Sequence, residues 1–162
     1  MKKSLASLAL GATLIASPIL TSSARAAGEV LYTLNTSCTI ADKEEKCKIE
    51  AVDYPTATLY RAILPDDKIT TIRLMDNPIF RAHVWSKEAK DWEPLKTISI
   101  QIPENLVCFN ANFCVYNPNF VQAAVEKRSA EHRTPQKIMK ARFDDTGEIS
   151  ASCFDQGCDS PL

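Results

Sequence analysis

A chain of 162 residues with 19 Lys and Arg against 20 Asp and Glu carries a net charge of −1, and one domain is the natural count for that length. Binding to nucleic acid or an anionic membrane works by releasing counter-ions and needs a basic excess, which this composition excludes as the main mode of action. Four Gly and no low-complexity tract argue against long disordered linkers.

Lys2 and Lys3 precede an uncharged apolar run from Leu5 to Leu20, and Ala24-Arg25-Ala26 has the small-x-small form of a cleavage site. The run is too short and wrongly flanked to span a membrane, so residues 1–26 read as a secretory signal peptide and 27–162 as a single disulfide-stapled, β-rich domain. Removing 26 of 162 residues leaves 136; removing Lys2, Lys3 and Arg25 leaves 16 basic against 20 acidic residues, a net charge of −4. No later run is long and apolar enough for a membrane span. The expected location is the periplasm or the extracellular medium. Six cysteines follow the leader, Cys38, Cys47, Cys108, Cys114, Cys153 and Cys158. An even count in an exported chain predicts disulfides, and their spacing favours pairing of near neighbours.

Glu29 to Ile40 alternates, with Val30, Tyr32, Leu34, Cys38 and Ile40 on one parity. A polar stretch and then Cys47 to Val52 predict a hairpin. A loop centred between Asp42 and Lys43 sets Cys38 directly opposite Cys47, within disulfide range. After the Tyr54-Pro55 break, Thr56 to Leu64 is rich in strand formers.

The stretch from Ile69 to Ile102 gives three alternating runs separated by short turns and predicts a β-meander around which the rest is arranged. A three-residue loop, Asp76 to Pro78, sets Leu74 opposite Phe80. That register also sets Arg73 opposite Arg81, a repulsive pairing; either the register shifts by two or an anionic group sits there. Trp85 and Trp92 flank a charged turn and brace it.

Leu106 to Phe120 holds Cys108, Cys114 and four Asn, and reads as a compact disulfide-closed loop. Asn117-Pro118 is a helix start, with Asn as N-cap and Pro at the first helical position. Phe120, Val121, Ala124 and Val125 form the apolar stripe, and Thr134-Pro135 ends the helix. Lys137 to Phe154 is a last hairpin, with Gly147 in its turn, Phe143 opposite Ile149 and Met139 opposite Cys153. The fold class is therefore mainly β or α+β: an antiparallel meander sheet or small rolled barrel of about eight strands with one late helix.

Motifs that carry chemistry are scarce. The cysteine spacings are not those of a zinc knuckle or a C-x-x-C redox site, so no metal and no cofactor are expected. No Ser sits in a G-x-S-x-G turn, and the two histidines, His83 and His132, lie far apart. Paired acids at Asp66-Asp67 and Asp144-Asp145 fall in turns, where Asp is expected anyway. One surface remains: Arg61, Arg73, Arg81, His83, Trp85 and Gln101 fall on the outward parity of the sheet, where Arg and Trp are the residues that anchor interfaces and Arg grips carboxylates through two bonds. The reading is an exported domain, more a binder than an enzyme, whose ligand is a protein, a peptide or an envelope polymer. The alternatives are an envelope hydrolase centred on His83 and a structural or assembly protein.

Overall fold

The computed structural model describes residues 28–76, 78–110, 112–129 and 137–159. The expected leader, His132 and the expected Thr134-Pro135 helix stop lie outside them. Eleven antiparallel strands form one curled sheet, a half-barrel, with one α-helix. In chain order they are β1 (Glu29–Ile40), β2 (Lys43–Tyr54), β3 (Ala57–Ile63), β4 (Ile69–Met75), β5 (Arg81–Ser86), β6 (Asp91–Pro94), β7 (Thr97–Gln101), β8 (Leu106–Phe109), β9 (Phe113–Tyr116), α1 (Pro118–Ser129), β10 (Ile138–Phe143) and β11 (Ile149–Phe154). A 3-10 turn, Asp155–Cys158, follows β11.

The order across the sheet is β11-β10-β7-β8-β9-β1-β2-β3-β4-β5-β6. β1 to β6 are a true meander. β7 then leaves it, and β9 returns to pair with β1. The sheet curls until its ends meet. The Ala82 amide donates to the Gly147 carbonyl (2.9 Å), the Ile149 amide to the Phe80 carbonyl (3.1 Å), and Arg81 bridges to Glu148. Gly147 has φ +81°, and a Cβ there would stand 2.7 Å from the His83 ring, so only glycine lets the β10–β11 turn close on β5.

The concave face is the core. Ile49, Ala62, Ile72, Leu74, Ile98, Ile100, Val107 and Val115 are buried on it. Phe109 stacks on Phe113 (5.9 Å) and meets Phe120 of α1 edge-on (5.8 Å), which docks the helix across the concavity. Asn117 caps α1 as expected: its Oδ1 accepts from the Phe120 amide (3.0 Å), and its side chain is bonded to the Tyr32 hydroxyl.

All three cysteine pairs close as the spacing predicts, Cys38–Cys47, Cys108–Cys114 and Cys153–Cys158. Their presence fits an oxidising, exported setting. The predicted Cys38–Cys47 register is off by two. Ala41 and Asp42 form a two-residue turn, both with positive φ (46° and 65°), and Cys38 stands opposite Glu45. The bridge is diagonal, and strand twist brings its Cα atoms to 5.8 Å. A primed turn suits the twist of a hairpin even though Ala is a poor residue for it.

Other corrections have similar causes. The strand count is eleven, not eight, because Asp91–Pro94 is a strand of its own and the Asn-rich loop around Cys108 and Cys114 is a hairpin, with those cysteines directly opposed. The expected three-run meander breaks there: β6 takes the place beside β5, and β7 pairs with β8 and β10. Leu74 faces Ala82 rather than Phe80, and Arg73 faces His83 rather than Arg81, which removes the like-charge clash by the two-residue shift. A bulge in β1 at Leu31 turns Val30 out, 60 % exposed. Phe143 does face Ile149, but an extra residue, Ser150, then sets Met139 opposite Phe154.

Candidate functional site

Two places gather chemistry, one on each face of the sheet. On the concave face, a cavity of about 860 Å³ opens where the sheet has curled but not sealed. One wall comes from β2, β3 and β4: Asp53, Thr58, Tyr60 and Leu74. They share a face because Ala51 pairs with Tyr60, Asp53 with Thr58, and Thr58 with Leu74. The opposite wall comes from β7 and β10: Ile98, Ile100, Met139 and Ala141, again directly opposed pairs. Phe120 and Ala124 of α1 cover one side, and Ile149 and Phe154 of β11 line the open one.

Asp53, Thr58 and Tyr60 put a carboxylate and two hydroxyls on the first wall; Lys140 and Ser152 add polar groups on the side of β10 and β11. The Thr58 hydroxyl donates to Asp53 Oδ1 (3.1 Å). Burial pushes the Tyr60 phenol well above its usual range, with Tyr32 and Asp53 adding to the effect, so Tyr60 stays a neutral donor. Its ring meets Phe120 edge-on at 5.0 Å, which fixes its direction. An apolar chamber with a few hydroxyls and carboxylates on one side is the usual form of a small-molecule site.

On the convex face, Arg73 and His83 are directly opposed. The Arg73 guanidinium lies 4.3 Å from the centre of the Trp92 ring, and Trp92 pairs edge-on with Trp85 at 5.5 Å. The brace expected of these two Trp residues is therefore present, with Arg73 as its third member. Arg61 is 4.0 Å from Glu50, and Arg81 is paired with Glu148. Gln101 does not join them: it is on β7, with six strands between it and β5 in the sheet order.

Burial holds the His83 imidazole below its ordinary pKa, Arg73 and Arg81 lower it further, and a bond to the Thr146 backbone opposes them. Among the described residues no carboxylate pairs with His83, the arrangement that orients a catalytic base, and the cavity walls do not include it. No group of three or more His, Cys, Asp or Glu positioned to hold a metal occurs among the described residues. No helix among them is long and apolar enough to cross a membrane. Comparison with known protein families, with curated proteins and with solved structures finds no match.

The sequence pointed to the convex cluster through the shared parity of Arg73, His83 and Trp85. It gave no signal for the cavity, whose walls are strands far apart in the chain.

Proposed function

We propose that this chain is an exported, non-enzymatic binding protein of the cell envelope, periplasmic or secreted, whose concave cavity takes an apolar or amphiphilic small molecule. The observation that carries the reading is the 860 Å³ chamber between β2–β4 and β7–β10, within the size range of ligand sites and lined mainly by apolar side chains. The hydroxyl and carboxylate groups of Asp53, Thr58 and Tyr60 orient a polar head, and the Ile98, Ile100 and Met139 side receives the apolar body. The envelope setting rests on the leader-like N-terminus and the three disulfides.

The hydrolase reading lacks comparable support, because it needs an acid beside His83. The test is a fluorescence titration with N-phenyl-1-naphthylamine, a dye that brightens in apolar surroundings. Saturable enhancement is expected in the wild type, and its loss in Ala141→Trp and in Ala124→Trp, which fill the chamber from two sides. Folded variants that bind the dye as the wild type does would refute the cavity as the site.

A further inference from the structure

Arg73 and His83 stand directly opposed on the convex face, away from the cavity. Each has a buried polar atom without a hydrogen-bond partner, Arg73 Nε and His83 Nδ1. Such atoms are rare in folded proteins and costly, and each asks for an explanation. The two are not scattered: they belong to residues directly opposed on neighbouring strands. His83 is only 9 % exposed, held on one side by the Thr146 backbone. Arg73 is held flat by the Trp92 ring.

Among the described residues no carboxylate is ion-paired to either residue, although Asp91 acts on Arg73 electrostatically. From β3, Arg61 is directed to Glu50; on β5, Arg81 is taken by Glu148. From β6, Asp91 acts on Arg73 through space only, and its Oδ1 accepts from the Trp92 amide (2.7 Å). No carboxylate of the described residues lies within ion-pair distance of Arg73. Of its nitrogens, Nε alone is both buried and unpaired, and the residue as a whole is only half-buried.

We propose that Arg73 and His83 form a binding site for an oxyanion, a carboxylate or phosphate group. A guanidinium fixed in plane offers two parallel donors to two oxygens. The imidazole, whose Nδ1 is sealed from solvent, acts through charge: once protonated it adds a second positive charge beside the guanidinium. Trp85, 39 % exposed, forms the rim beside it. Burial and, after it, the Arg73 and Arg81 charges disfavour the protonated imidazole; a bound anion offsets those charges, so binding and protonation of His83 strengthen each other. The site lies on the opposite face from the cavity, and its failure would leave the cavity reading untouched.

The test follows the His83 ring by NMR, with His132 as the only other histidine and His83→Gln for assignment. Inorganic phosphate, glucuronate and uncharged glucose are titrated into the mature protein. The expected result is a rise of His83 by about one pKa unit on saturation with phosphate or glucuronate, weaker at high salt, with His132 unmoved. Arg73→Gln should abolish the rise and Arg73→Lys should keep part of it. Which anion acts at lower concentration tells a phosphate source from a carboxylate one. A His83 pKa indifferent to both anions in the wild type overturns the proposal, as does an equal shift with glucose or in folded Arg73→Gln.

Discussion

The two walls of the cavity are built differently. The β1–β6 wall is a meander in which each strand pairs with its neighbour in sequence, and it carries Asp53, Thr58 and Tyr60. The β7–β11 wall is assembled from pieces that return from elsewhere. It contains two of the three disulfides, and its cavity face is Ile98, Ile100, Met139 and Ala141. Local hairpins suffice where strand order follows chain order. Where it does not, a long loop must close before any contact forms; the clasps of this wall, with separations of 6 and 5, stiffen single turns, and the Tyr32–Asn117 bond, 85 residues apart, is a long-range tie. The proposed functional counterpart is a chamber whose carboxylate and phenol lie on one wall, while the other is apolar apart from Lys140 and Ser152, an asymmetry suited to orienting an amphiphile.

The comparison can be broken most severely where the walls meet. Phe109, 3 % exposed, joins Phe113 to Phe120. Phe109→Ala should cost about 3–5 kcal/mol in urea unfolding and weaken dye binding with it. Next come the clasps. Replacing Cys38 and Cys47 together by Ala should cost about 2–3 kcal/mol on the chain-entropy account, slightly more than replacing Cys153 and Cys158, whose loop is shorter (separations 9 and 5). If the returning wall depends on its clasps as argued, loss of Cys108–Cys114 lowers ligand affinity more than loss of Cys38–Cys47. Asn117→Ala removes the α1 cap and the Tyr32 partner at once and should cost about 1–2 kcal/mol, with Tyr32→Phe recovering only part of that effect.

The smallest effect concerns pH. His83 has a folded pKa below its ordinary 6.5. The unfolded chain then binds more protons over that interval, so this residue stabilises the fold above pH 6.5 and the contribution falls as pH drops through the lowered value. Stability measured from pH 7 down to 5 should decline in the wild type and decline less in His83→Gln.

How far the sequence spoke depends on how local each feature is. Cysteine spacing was enough for the three bridges, and Asn117-Pro118 for the helix start. Alternation placed the faces of β4, β5, β7 and β10, but it carries no information about partners, so β9 beside β1 and β10 beside β7 were out of reach. Ala41-Asp42 has no primed-turn signature, and single-residue bulges at Leu31 and Ser150 leave the composition of their strands unchanged. The Asn residues around Cys108 and Cys114 signalled turns and hid two four-residue strands. On the convex face Arg73 stands opposite His83, with Trp85 two residues further along β5, while Trp92 entered only as a brace and Gln101 lies on β7. The cavity exists only because the sheet curls, and curl is a property of all eleven strands together.

The most direct test of the cavity reading is methyl NMR of the mature protein titrated with dodecanol, an amphiphile with a neutral head. The account predicts saturable shifts at Ile98, Ile100 and Met139, with Val30, Leu31, Ile69, Ile79 and Ile138, exposed aliphatic side chains outside the chamber, left in place. Shifts spread over those exposed residues, or none at the three inner ones, would contradict it.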